Sequence, residues 1–257
     1  MRVDLHNHTP LCNHATGTPY EYVKEAVNKN IDIYGFADHA PMEFDYKYRM
    51  SFDKMDEYEE MINSLKDEFK DIKILVGYEV DFTPFVDERV LKRDVDYLIG
   101  SVHFLDNWGF DNPEFLKEWQ QRDIDDVYKE YFKNVLDMVK SGLFQIVGHL
   151  DLIKVFGFRP KSSIIDYVYP VIKEIKKSGM VVEVNSAGLR KDVKEVYPSK
   201  EILEIIFDEN IDITTSSDAH SIKQVGYRLD EVENILKSIG FKEVSYFEKK
   251  SKIKVDL

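Results

Sequence analysis

Short β-branched runs alternate along this chain with longer stretches of helical period. That alternation restricts the fold more than any other feature, because repeated β-α units build a parallel sheet. Seven runs read as strands: Val3 to His6, Ile31 to Ala37, Ile74 to Glu79, Tyr97 to His103, Gln145 to His149, Val181 to Asn185 and Ile211 to Ser216. The helices between them are marked by their ends. Thr18 caps the first, Pro19 takes its first position and Glu21 completes a capping box, with Tyr22, Val23, Ala26 and Val27 as the buried stripe. A second follows Ser51, with Phe52, Met55, Tyr58, Ile62, Leu65 and Phe69 along one face. Others fit Ile124 to Lys140, Ser163 to Ser178, Lys200 to Glu209 and Ile222 to Ser238. Leu105 to Arg122 lacks clear periodicity and reads as a long functional loop. Glu243 to Leu257 reads as a hairpin turning near Lys249-Lys250-Ser251-Lys252. With no internal repeat or linker, the 257 residues are expected to form one domain, about the ~250 residues of a single α/β barrel.

Composition narrows what such a barrel can do. Hydrophobic residues at 43% supply a sizeable core, yet no apolar run approaches the ~20 residues that span a bilayer, so no membrane partner is expected. Asp4 falls inside what would be the apolar part of a signal peptide. Cys12 is the single cysteine, which rules out an intramolecular disulfide and fits a cytoplasmic location. A net charge of −13 disfavours nucleic acid as a partner. An acidic protein that handles a small anion must reverse its field locally, and divalent cations do this most strongly. A homo-oligomer is compatible with the sequence.

The histidines carry the chemistry. His6 and His8 follow the first strand, His14 lies in the next loop, His39 follows the second strand, and His103 and His149 end the fourth and fifth. His220 follows Asp218 beyond the seventh, and Glu79 ends the third. Loops after the C-terminal strand ends form the active-site face of parallel barrels, so all seven imidazoles are expected to converge there. Convergent imidazoles with a few carboxylates suit zinc, manganese or iron. In His6-x-His8 the two side chains share one side of the strand and can hold one ion.

The strings around these residues resemble a known family. Asp4-Leu5-His6-Asn7-His8, Cys12-Asn13-His14-Ala15, Ala37-Asp38-His39, Gly100-Ser101-Val102-His103 and Ser217-Asp218-Ala219-His220 are similar to motifs of the PHP (polymerase and histidinol phosphatase) superfamily. The segments Gly100 to Glu114, Val147 to Lys154 and Glu183 to Arg190 resemble its histidinol-phosphatase branch. The resemblance runs from Met1 to about Tyr227. It implies an α/β fold of the distorted seven-stranded (βα)7 TIM-like kind, and a site for three divalent ions. His6 and His8 would hold one ion with Asp218 and Glu79; Glu79 would bridge to a second held by His103 and His149; His14, His39 and His220 would hold the third. Glu79, Asp218 and His220 are expected to be catalytic as well as ligating. The implied reaction is hydrolysis of L-histidinol phosphate to L-histidinol and phosphate, by attack of a hydroxide bridging the metals.

A small phosphorylated substrate needs more than metal. Forked guanidinium groups suit the uncovered phosphate oxygens, and Arg159 and Arg190 lie in loops after strands. The imidazole and ammonium of histidinol call for carboxylates and an aromatic face, for which Glu43 and Trp108 are candidates. Cys12, beside His14, reads as a small residue packed near the site, with a soft metal ligand as the alternative. No residue stands out as the general acid. Three other readings compete: a PHP phosphoesterase acting on nucleotide or phosphotyrosine substrates, an amidohydrolase-type metal hydrolase, and a non-catalytic metal-binding module. The histidinol-type strings weigh against the first, Glu79 in place of a bridging lysine against the second, and the intact ligand set against the third.

Overall fold

The structure is a computed structural model that describes residues 1–84 and 86–257. In chain order its strands are β1 (Val3–Asp4), β2 (Ile33–His39), β3 (Lys73–Asp81), β4 (Tyr97–Ser101), β5 (Phe104–Leu105), β6 (Trp108–Gly109), β7 (Ile146–Val147), β8 (Val181–Asn185), β9 (Ile213–Ser216), β10 (Glu243–Glu248) and β11 (Ser251–Asp256). The helices are α1 (Pro19–Asn28), α2 (Met55–Glu68), α3 (Glu88–Leu91), α4 (Ile124–Ser141), α5 (Ile164–Ser178), α6 (Lys200–Asp208) and α7 (Leu229–Ile239).

Seven strands form one sheet in the order β1-β2-β3-β4-β7-β8-β9, each parallel to its neighbour. Its two edges meet. Leu5 N donates to Thr215 O at 3.1 Å, Thr215 Oγ1 to Val3 O at 2.6 Å, and Asn7 pairs in parallel with Ala219. The result is the expected seven-stranded barrel, with its helices outside. Tyr97 fills part of the interior and donates its hydroxyl to Leu5 O at 2.6 Å. Two glycines make room for it: a Cβ on Gly35 would overlap the hydroxyl, and one on Gly77 would come within 2.6 Å of the ring.

Local signals explain most element boundaries, and the departures have physical causes. The Thr18–Glu21 capping box forms, and Tyr22, Val23 and Ala26 are buried, but Val27 lies one position round from that stripe and is 41% exposed. Ile222–Gln224 makes only a 3-10 turn, because Gly226 and Arg228 then adopt left-handed φ of 59° and 51°, and α7 starts at Leu229. The Leu105 to Arg122 region is ordered into the β5–β6 hairpin, turning at Asp106 (φ 52°), and a 3-10 helix over Pro113–Gln121 capped by Asn112. Trp119 Nε1 ties the two together by donating to Phe110 O at 2.9 Å.

The hairpin β10–β11 crosses the end of the barrel where the strands begin. Lys250 N donates to Asp96 O at 2.8 Å, just before β4, and Lys252 Nζ lies 2.7 Å from Asp212, just before β9. The opposite end, where the strands finish, is left open to the loops that bear the histidines. Among the described residues no helix is long and apolar enough to cross a membrane.

Candidate metal centre

Glu79 and Asp81 lie two apart near the end of β3 and therefore project to the same side, into the mouth. Glu79 is 1% exposed and sits at the centre of five imidazoles. Its Oε2 lies 2.9 Å from His39 Nδ1, 3.2 Å from His6 Nε2 and 3.8 Å from His8 Nε2. Its Oε1 lies 2.8 Å from His149 Nε2 and 3.4 Å from His103 Nε2. Asp218 Oδ1 is 3.2 Å from His8 Nε2 and 3.5 Å from His220 Nδ1. The His220 ring stacks on His8 with centroids 3.9 Å apart, and His14 is 4.6 Å from His220 and 5.2 Å from His39. All seven imidazoles, Glu79 and Asp218 therefore form one connected cluster.

Local folding holds the donors that lie outside strands. Thr9 caps a 3-10 turn over Pro10–Cys12, and Asn13 then adopts φ 68°, so His14 Nδ1 turns back to Cys12 O at 2.9 Å and its Nε2 is presented outward. Asp218 also has a left-handed φ, 53°. Its turn is held on several sides. Ser217 N donates to Asp4 Oδ1 at 2.9 Å, Arg190 donates to the carbonyls of Ser217 and Asp218 at 2.7 and 2.5 Å, and Asn185 Nδ2 donates to Asp218 Oδ2 at 3.1 Å.

Three buried carboxylates stand behind the imidazoles. Glu183 Oε1 is 2.7 Å from His6 Nδ1, Asp81 Oδ1 is 2.9 Å from His103 Nδ1, and Asp38 Oδ1 is 3.3 Å from His8 Nδ1. Glu183 also accepts His149 N at 2.6 Å and Ser216 Oγ at 2.7 Å. A carboxylate on Nδ1 fixes the tautomer and aims Nε2 at a cation, as outer partners of metal-binding histidines do. None of these three stands out in the sequence as a site residue. The signal for Glu183 is a charge within the buried run Val181 to Val184.

The donor atoms fit divalent transition metals. His6 Nε2, His8 Nε2 and His39 Nδ1 are buried and make no hydrogen bond, although carboxylate oxygens lie within 3.2 Å of each. A buried donor or acceptor left unpaired costs about 1–3 kcal/mol, so such atoms need another partner. Nitrogen and oxygen atoms that approach each other without hydrogen-bond alignment are placed to share a cation. Among the described residues five sets have donor atoms within 4.8 Å of one another: His6, His8 and Asp218; His39, Glu79 and His103; His8, His39 and His220; Cys12, His14 and His220; and His8, Cys12 and Asp38. Mixed imidazole and carboxylate donors suit zinc, manganese and iron.

Among the protein groups alone, the cluster's charges are divided. Burial pushes His6 and His8 toward neutrality, but the carboxylates around them prevail and hold both well above the usual histidine range. At His103 burial is likewise outweighed, by Asp81 and Glu79, and the group is raised to about 10. At His39 burial prevails over Glu79, the nearby His8 adds to the fall, and the group is lowered to about 3. Burial alone would raise Glu79 and Asp218; the surrounding imidazoles, His6 first, instead hold both well below the carboxylate range.

Two adjoining cavities open from the cluster. One of about 270 Å³ is bordered by Glu79, His149, Asp218, Arg190, Lys191 and Tyr197. The other, about 390 Å³, is bordered by Asp45, Tyr48, Arg49, Phe104 and Phe115. His14, His39, His103 and Asp111 border both.

Of the residues the sequence suggests for substrate, only Arg190 borders the metal cavity. Arg159 is instead drawn to Glu195, 2.6 Å away, in a separate surface depression with Pro160 and Lys200. Glu43 is 76% exposed and paired with Arg89 at 3.0 Å. Trp108 is buried inside its own loop, edge-on to Trp119 at 5.1 Å with the Arg122 guanidinium over its ring. Asp45, Asp111 and Phe104 border these cavities, whereas Glu43 and Trp108 do not.

A model of the PHP domain matches residues 4–187. This chain belongs to the PHP domain family. It is 37% identical over 254 residues to a probable histidinol-phosphatase of Deinococcus radiodurans, covering 96% of this chain and 97% of that protein. The histidinol-phosphatase of Bacillus subtilis is 28% identical over 258 residues, covering 87% and 95% respectively. Among solved structures, histidinol phosphate phosphatase of Lactococcus lactis, complexed with zinc, L-histidinol and phosphate, superposes with a TM-score of 0.85 at 21% identity, covering 98% of each chain.

Proposed function

We propose that this chain hydrolyses L-histidinol phosphate to L-histidinol and phosphate, using three divalent ions of zinc, manganese or iron. The observation that carries the reading is a nine-donor cluster opening directly onto a second cavity with acids and an aromatic wall. The names of the relatives in Deinococcus and Bacillus, and the zinc, histidinol and phosphate in the Lactococcus structure, support it.

In this reading His6, His8 and Asp218 would hold one ion, His103 and His149 a second, and His14, His39 and His220 the third, with Glu79 available to the first two. Ions bound there would neutralise phosphate charge and lower the pKa of water. The remaining steps belong to the chain. Arg190 orders the Asp218 turn through its two carbonyl contacts and keeps positive charge at the cavity wall, where phosphate needs it. Asp111 borders both cavities, and in this reading its carboxyl would donate a proton to the departing oxygen. Burial raises it from the usual carboxylate range, against the opposing charges of His103 and Lys191. Asp45 and Phe104 give a cationic, aromatic leaving group a charge partner and a ring face.

The test is steady-state kinetics on metal-replete protein with histidinol phosphate, a nucleoside monophosphate and phosphotyrosine. Histidinol phosphate should lead in kcat/KM by at least about a hundredfold, some 2.7 kcal/mol of discrimination. Comparable values on all three would overturn the substrate assignment. Fewer than two transition-metal ions per chain by elemental analysis would overturn the three-ion centre.

A further inference from the structure

Arg49 is the buried cation at this site that neither metal binding nor phosphate binding uses. It is 3% exposed, on the loop between β2 and α2. Its Nε and Nη2 donate to Asp45 Oδ2 at 3.2 and 3.0 Å, and its Nη1 donates to Ala40 O at 3.3 Å and lies 3.0 Å from Asp81 Oδ2. Asp81 in turn accepts from His103, at 3.1 Å from the backbone N–H and 2.9 Å from Nδ1. Asp45, Arg49 and His103 all border the outer cavity. One unbroken chain of contacts therefore runs from the wall of that cavity, Asp45, through Arg49 and Asp81, to His103, whose Nε2 faces Glu79. The same loop also reaches the other side of the centre: Asn13 Nδ2, adjacent to His14, donates to Arg49 O at 2.9 Å, and the Tyr48 ring meets the His14 ring edge-on at 5.6 Å.

We propose that Arg49 is a positioning residue that couples the leaving-group cavity to the metal donor His103, so that leaving-group recognition and metal geometry are set by one side chain. The inference rests on the phosphatase reading for the identity of the leaving group. The coupling itself rests on contacts alone. A buried carboxylate such as Asp81, on the same strand face as Glu79, needs a cation beside it. Arg49 supplies that cation and, through its planar fork, aligns Asp45 at the same time, which an ammonium group cannot do. Asp45, Arg49 and Asp81 together carry one surplus negative charge, and Asp45 presents it to the outer cavity, where a cationic leaving group is favoured over a neutral one.

The experiment compares Arg49→Gln, Arg49→Lys and Asp45→Asn. Metal affinity is read by chelator competition and elemental analysis, folding by circular dichroism, and KM and kcat on histidinol phosphate and on phenyl phosphate, whose leaving group is neutral. Arg49→Gln should weaken the ion at His103 by about 10-fold, the low end of the range for losing an outer partner of a metal-binding histidine, because Asp81 stands between the two. Arg49→Lys, which keeps the charge and guards against failure of the glutamine variant to fold, should recover metal affinity but still raise KM for histidinol phosphate. Asp45→Asn should keep all ions and raise KM for histidinol phosphate more than for phenyl phosphate. Wild-type metal affinity in folded Arg49→Gln would overturn the coupling, as would an equal effect of Asp45→Asn on both substrates. If the wild-type protein hydrolyses neither phosphate, the phosphatase reading fails, and the metal titration still decides whether Arg49 positions His103.

Discussion

The two ends of the barrel solve opposite problems with the same residue types. At the mouth, carboxylates and imidazoles are buried together, and His6 Nε2, His8 Nε2, His39 Nδ1 and His149 Nδ1 lack hydrogen-bond partners. At the base, charged groups lie near solvent and are paired across β10–β11: Lys73 with Glu248, and Lys252 and Lys254 with Asp212 at 2.7 and 2.5 Å. The base holds its hairpin mainly by burying Val244, Tyr246 and Phe247 beneath it, and its ion pairs are of the exposed kind that contribute little. The mouth gives up local stability to hold donor atoms for a cation instead of for one another, a cost that functional sites commonly carry. Substitutions at the mouth should therefore appear in metal binding and rate, and substitutions at the base only in stability.

The largest contrast is expected at Glu79. Glu79→Gln keeps the side chain's shape but removes the charge that five imidazoles face, so metal content should fall by at least one ion per chain. Loss of several kcal/mol of charge stabilisation should lower kcat by about a thousandfold or more. Elemental analysis and steady-state rates would check both. Full metal content with a near-normal rate would break the distinction between the two ends. Glu183→Gln comes next, because Glu183 holds His6 Nδ1 and His149 N without itself bordering the metal cavity. Metal affinity should drop by about 10- to 100-fold, read by chelator competition. Added metal should then raise Tm less than in the wild type, since a ligand stabilises in proportion to the logarithm of its concentration over Kd.

What the sequence makes legible divides along the same line. The seven strands and the histidines at their ends are readable because each depends on local pattern: β-branched runs, a period of two, and helix punctuation. The positions of Glu79, His103 and His149 follow from that pattern without any knowledge of partners. Pairings across the barrel are not readable. Glu183 meets His6 across 177 residues of separation, and nothing local to either residue names the other. The arginines show this most clearly. Arg159 and Arg190 both follow strands, but Glu195, 36 residues beyond Arg159, draws one away, while the carbonyls of Ser217 and Asp218 hold the other at the cavity. Arg49 escapes notice because it lies in a loop whose path over the mouth is set by Asp45, Asp81 and Asn13. Trp108 reads as a candidate aromatic face for the substrate in a long loop, yet that loop has a small core of its own, in which Trp108 packs on Trp119.

The smaller effects test that division directly. Arg190→Ala removes two charge-assisted hydrogen bonds to the Asp218 turn; losing the equivalent of one of them in the transition state, about 1.5–3 kcal/mol, should lower kcat/KM by roughly 10- to 150-fold. Arg159→Ala loses one surface ion pair and should leave kcat/KM within about twofold. If the two variants were equally impaired, the cavity at Arg159 would have to join the site.

Lys252→Ala should have the least effect of all. It removes a contact of 2.7 Å to Asp212, but Lys254 also lies 2.5 Å from that carboxylate and retains the pairing. A partly exposed pair with a remaining partner contributes about 0.5 kcal/mol or less, and a domain of this size changes Tm by about 2–4 °C per kcal/mol. A fall of at most about 2 °C is therefore expected, with metal content and kcat at wild-type values. A loss of metal from this variant would mean that the hairpin at the strand starts governs the donors at the strand ends. The barrel would then transmit strain along its full length, and the two ends could no longer be treated as separate.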